Sequence, residues 1–140
     1  MRFGIILSLV LPIAAFAYPT TSSADNYQLA NRNTGEVELH KRFSNSRWTF
    51  YNVGLGACGK VNIPSDFVVA LNSAQYGQGF PGPNCFKKIT MTYQGKTATA
   101  TIVDKCPGCP VGGLDLSVGL FTFFAPESQG VIFGEWNFSA

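Results

Sequence analysis

Charge is scarce in this chain. Of its 140 residues 13% are Asp, Glu, Lys or Arg, and ten basic against eight acidic residues leave a net charge of +2. No dense basic or acidic run is present to steer it to nucleic acid or to an anionic membrane surface. Histidine occurs once, at position 40, so no imidazole is available to a site formed by the residues that follow. Helical periodicity is also missing. Fifteen Gly and eight Pro are spread through the chain, and its apolar runs are short and rich in Val, Ile, Thr and aromatics. That pattern excludes a long helical bundle and predicts an all-β domain, one at most for this length.

Long hydrophobic stretches are absent beyond the N-terminus. There, Met1-Arg2 precedes an apolar run from Phe3 to Ala17, broken only by Gly4, Ser8 and Pro12. The layout is that of a secretory signal peptide cut after Ala17, too short for a membrane span, which needs about 20 residues. Tyr18 to Arg42 is polar and shows no sustained period, so it is expected to be disordered. It ends in Lys41-Arg42, which resembles the site cut by kexin-type processing proteases, and residues 18–42 therefore read as a pro-segment. An uncleaved polar tail with an incidental dibasic pair is the alternative. The folded domain is expected over residues 43–140, in a secreted, extracellular and monomeric protein with no membrane segment after signal cleavage.

All four cysteines fall in that domain. In a secreted chain they are expected to form two disulfides, with three pairings open. Zinc would want two close pairs, and only Cys106-Pro107-Gly108-Cys109 has short spacing, so no metal site is expected. Strands are predicted at Arg47–Val53, Phe67–Asn72 and Gly130–Trp136, and a hairpin over Lys88–Asp104. Its Gln94-Gly95 turn pairs Ile89 with Ala100 and Met91 with Ala98, leaving a threonine ladder of Thr90, Thr99, Thr92 and Thr97 on the other face. Ser73–Asn84 reads as a loop. One short helix is expected over Val118–Phe124, capped by Ser117 and stopped by Pro126.

Two runs carry a resemblance: Ala100-Thr101-Ile102-Val103-Asp104-Lys105-Cys106 and Gly112-Gly113-Leu114-Asp115-Leu116-Ser117. Together with Trp48-Thr49-Phe50-Tyr51, Gly56-Ala57-Cys58-Gly59 and Val69 to Tyr76, they resemble the double-psi β-barrel families: barwin, expansins, related glycoside hydrolases and the rare lipoprotein A domain. The similarity is strongest to the expansin-like, small secreted fungal members and runs from about Trp48 to Trp136. It implies a six-stranded double-psi β-barrel. It also implies that Thr49, Asp104 and Asp115 line a polysaccharide groove, with Asp115 at the position of the hydrolases' general acid. Barwin's pairing implies Cys58–Cys85, and its missing partner for the cysteine matching Cys106 leaves Cys106–Cys109.

The departures matter equally. The hydrolases need a second carboxylate as base, which lies just after the opening Thr-x-Tyr, where this chain has Asn52 and Val53. The transglycosylases use a histidine whose nearest counterpart here is Asn72. The expectation is therefore a cofactor-free protein that binds and remodels cell-wall polysaccharide (glucan, chitin or a peptidoglycan-like polymer) without efficient hydrolysis. Asp115 and Asp104 are its candidate catalytic residues, and Thr49, Tyr51, Tyr76 and Asn72 its candidate binding residues; Tyr51, Tyr76 and Trp48 would offer stacking faces. Plain structural roles stand beside these, since an Asp at a strand end bonds turn amides and one before a helix caps it. Two other function classes remain: a barwin-fold cysteine-protease inhibitor or host-interaction protein contacting through Ser73–Asn84 and Cys106–Gly113, and a riboflavin-aldehyde-forming type of oxidative enzyme.

Overall fold

A computed structural model describes residues 41–140. The expected signal-peptide cut after Ala17 and nearly all of the expected pro-segment lie outside the described residues. The elements are β1 (Phe43–Tyr51), β2 (Val68–Asn72), α1 (Ser73–Tyr76), β3 (Lys88–Tyr93), β4 (Lys96–Cys106), β5 (Leu114–Ser117), α2 (Val118–Phe124), a 3₁₀ turn (Glu127–Gln129) and β6 (Ile132–Phe138). The six strands close into a barrel in the order β1-β5-β2-β4-β3-β6. Two pairs, β1/β5 and β2/β4, are parallel and the rest antiparallel, so the barrel is mixed.

Period-two alternation decides what enters the barrel. Ile89 and Met91 of β3, Ala98, Ala100 and Ile102 of β4, and Ile132 and Trp136 of β6 are all buried. Across the β3–β4 hairpin the large residues meet alanines, Ile89 opposite Ala100 and Met91 opposite Ala98, which fits a narrow interior. Gln94 and Gly95 both take positive φ, as a two-residue turn matching the strand twist requires. Trp48 is fully buried in the core. Its ring occupies the space where a side chain on residue 134 would be, so only glycine fits at Gly134.

Three expectations are corrected. There are two short helices rather than one, because Asn72 caps a single turn, α1, at the start of the predicted loop. β1 begins at Phe43 rather than Arg47, since Phe43 pairs in register with Trp136 and stacks on its ring at 4.4 Å. The sixth strand, β5, lies where the sequence offered only the approach to a helix. α2 does run from Val118 to Phe124, with the Ser117 hydroxyl accepting the Leu120 N–H.

Candidate functional site

The strand register sets one row of side chains across the outside of the barrel. Thr49 of β1 pairs with Asp115 of β5, Asp115 with Ala70 of β2, and Ala70 with Asp104 of β4. Partners in register share a face, so two carboxylates and a hydroxyl lie in line on neighbouring strands, with the buried Ala70 between the acids. A β-bulge is essential to this. On β4, residues 98, 100 and 102 point inward, and unbroken alternation would send Asp104 inward too. Between the pairs Val69–Ile102 and Ala70–Asp104 the register slips by one, leaving Val103 as the extra residue and turning Asp104 outward.

Each acid is held differently. The Thr49 hydroxyl donates to Asp115 Oδ1 at 2.7 Å. Burial raises the Asp115 carboxyl above the usual aspartate range; the Thr49 hydrogen bond and the positive charge of Arg47 work against this, while the charge of Asp104 adds to it. Asp104 Oδ1 accepts two backbone N–H groups, from Ala57 and Lys105, each at 2.8 Å. Asp104 thereby latches the arch that follows β1, in which Leu55 bridges Val61 and Gly56 sits so close to the Val103 carbonyl that no side chain fits. The structural role foreseen for Asp104 is thus present, whereas Asp115 caps no helix: it lies within β5, and Ser117 is the cap. The Tyr51 phenol is driven upward first by burial and then by Asp104 and Asp115, so it stays protonated as a hydrogen-bond donor at the row's edge.

Alanine at position 104 leaves the N–H groups of Ala57 and Lys105 without their acceptor. Asp104→Ala is expected to cost about 1–3 kcal/mol and to speed amide exchange at Ala57. Unchanged melting with unchanged exchange at that amide would refute the latch.

Two binding candidates are corrected. Tyr76 has no exposed surface, and its hydroxyl accepts the Gly82 N–H at 3.1 Å. Asn72 is equally buried; its amide bonds Gln75 and the Gly113 carbonyl, and its oxygen accepts the Gln75 N–H. Both support α1 and the neighbouring loops, and neither has exposed surface to offer a sugar. Trp48 is also fully buried, so it offers no stacking face. Arg47, overlooked in the sequence, belongs with the site: it precedes Thr49 by two residues, and strand alternation puts both on one face. The disulfides are Cys58–Cys85 and Cys106–Cys109, the pairing that the barwin resemblance implies. Among the described residues no three His, Cys, Asp or Glu side chains gather as metal ligands would.

No family model matches the chain. An Allergen Asp f 7 homolog of Arthroderma benhamiae is 41% identical over 75 residues, covering 52% of this chain and 26% of the relative, so the chain spans about a quarter of that protein. A papain inhibitor of Streptomyces mobaraensis is 28% identical over 110 residues, covering 75% of this chain and 77% of the inhibitor. The solved Streptomyces papain inhibitor superposes with a TM-score of 0.67 at 29% identity, over 75% of this chain and 100% of that one. A Clavibacter michiganensis expansin mutant, solved in complex with cellohexaose, superposes with a TM-score of 0.63 at 25% identity, over 71% of this chain and 51% of the expansin. The chain is a six-stranded double-psi-like β-barrel related to the expansins and the Streptomyces papain inhibitor, and a homologue of the fungal Asp f 7 allergens.

Proposed function

We propose that this is a secreted protein whose barrel binds an extended cell-wall polysaccharide across its outer face and remodels the wall without efficient hydrolysis. The observation that carries the reading is the row Asp104, Asp115 and Thr49: hydrogen-bonding groups brought together on neighbouring strands over the buried Ala70, with the Tyr51 phenol at the edge. A sugar ring carries hydroxyls around its rim, and such a row offers them both donors and acceptors. The cellohexaose complex of the related expansin supports the ligand class. Non-hydrolytic action follows from Asn52 and Val53 standing where a base would be, and from Asp104 having one oxygen committed to two backbone amides. The test is pull-down on insoluble glucan and chitin beside a reducing-sugar assay. Binding without sugar release is expected; robust release would overturn the non-hydrolytic claim, and failure to bind either polymer the reading itself.

The second reading is inhibition of a papain-like cysteine protease, favoured by the near full-length match to the papain inhibitor. The arch after β1 presents Leu55, Val61 and Ile63 largely exposed, on a frame braced by the Cys58–Cys85 bridge. A papain inhibition assay separates the two readings.

Processing belongs to the same proposal. Lys41 and Arg42 are exposed and precede the first strand, within reach of a protease, while Phe43 is anchored on Trp136. The secreted form is expected to begin at Phe43. N-terminal sequencing of culture supernatant that returned Tyr18 as the sole start would remove the pro-segment.

A further inference from the structure

We infer that the polysaccharide surface does not end at Thr49 but continues across β1 onto β6, where Phe133 stacks on a neutral pyranose ring and the cleft beside it seats the next sugar. This rests on the polysaccharide-binding reading. Phe133 is the register partner of Arg47, so the two share the outer face. The Arg47 charge is felt at the Asp115 carboxyl, which ties β6 to the two-carboxylate row through a single side chain. Phe133 is 54% exposed on a strand whose inward residues Ile132 and Trp136 are buried. An aromatic ring left open on a barrel wall beside a guanidinium is an uncovered apolar face with a hydrogen-bond donor at its edge.

Next to that ring lies a cleft of about 440 Å³, between the irregular start of β1 and the tip of the β3–β4 hairpin. Asn45, with φ of 52°, stands where the β1–β6 register shifts and lines one wall. Thr92, Gln94 and Glu135 supply hydrogen-bonding groups, Tyr93 and Phe133 the aromatic surface. Gly134 contributes no side chain, because the buried Trp48 ring lies directly beneath it, so the floor is bare. From β5 to β6 by way of β1 there are two strand spacings, roughly 10 Å of surface on one side of the closed barrel, before the cleft begins. Charges along this path offset one another in the full chain, Arg47 acting on Asp115 and Arg42 pairing with Glu135 at 3.8 Å, which suits a neutral polymer.

The experiment is calorimetric titration of the purified protein with di- and hexasaccharides of β-1,4-glucose, β-1,3-glucose and β-1,4-N-acetylglucosamine. The wild type is expected to bind its preferred hexasaccharide more tightly than the disaccharide. Loss of one aromatic stacking contact should shrink that gain about fivefold to tenfold in Phe133→Ala, and Phe133→Trp should restore it. Because Phe133 is on the surface, both variants are expected to melt with the wild type. A hexasaccharide gain that survives Phe133→Ala while Asp115→Asn removes binding overturns this inference alone. If neither oligosaccharides nor wall polymers bind the wild type, the polysaccharide reading falls and this inference with it.

Discussion

Asp115→Asn is expected to weaken polysaccharide binding by at least about tenfold, since a hydrogen bond to a charged group carries about 1.5–3 kcal/mol, while leaving the barrel at least as stable as before. Asparagine keeps an oxygen at the position of Oδ1, so the Thr49 hydroxyl retains its acceptor. What disappears is a carboxylate that burial already disfavours. The sign of the pH dependence follows from that. The folded-state pKa lies above the unfolded value of 3.8, so the unfolded chain ionises first as pH rises. Asp115 therefore contributes its full share of stability below pH 3.8, loses it between 3.8 and the raised folded value, and stays level above that. Melting curves of wild type and variant from pH 3 to 7 should show the wild type losing ground relative to Asp115→Asn just above 3.8. A variant that melted many degrees lower at neutral pH, with binding per folded molecule intact, would make the residue structural and the groove assignment wrong.

Removing the Cys58–Cys85 bridge by a double alanine replacement should have the largest effect on stability, about 2–5 kcal/mol, read as a melting shift of about 4–8 °C for each kcal/mol. The two cysteines are 27 residues apart, and Cys58 is itself part of the buried core. Chain entropy alone assigns such a loop about 3.5 kcal/mol, against about 2 kcal/mol for the tight Cys106–Cys109 loop. The bridge also holds the arch whose Ala57 N–H reaches Asp104, so its loss should speed exchange at that amide as Asp104→Ala does. The Cys106–Cys109 double variant is expected to melt above the Cys58–Cys85 one. The reverse order would mean that the arch is held by its other contacts, above all the Cys58 N–H to the Val103 carbonyl.

Much of this architecture is written in short stretches of sequence. The β3–β4 register follows from Gln94-Gly95 and the alternation of Ile89, Met91, Ala98 and Ala100, and α2 from Ser117 and Pro126, because turn geometry, side-chain period and capping are properties of neighbours in the chain. That Thr49, Asp104 and Asp115 fall in one row has no local signal in the sequence; the motifs around them point to these positions only by resemblance. The rest had no local mark. A four-residue strand such as β5 is too short to show a period, and its place between β1 and β2 is decided only when the barrel closes. The bulge at Val103, which sends Asp104 outward, arises from pairing with β2 and not from any residue preference on β4. Asn72 and Tyr76 have the chemistry of binding residues, and only packing shows them fully buried. Arg47 and Phe133 are far apart in the chain and became neighbours through the β1–β6 register. Turns, caps and periodicity are read within a few residues, whereas exposure and cross-strand neighbours depend on contacts between distant segments, which only the tertiary structure decides.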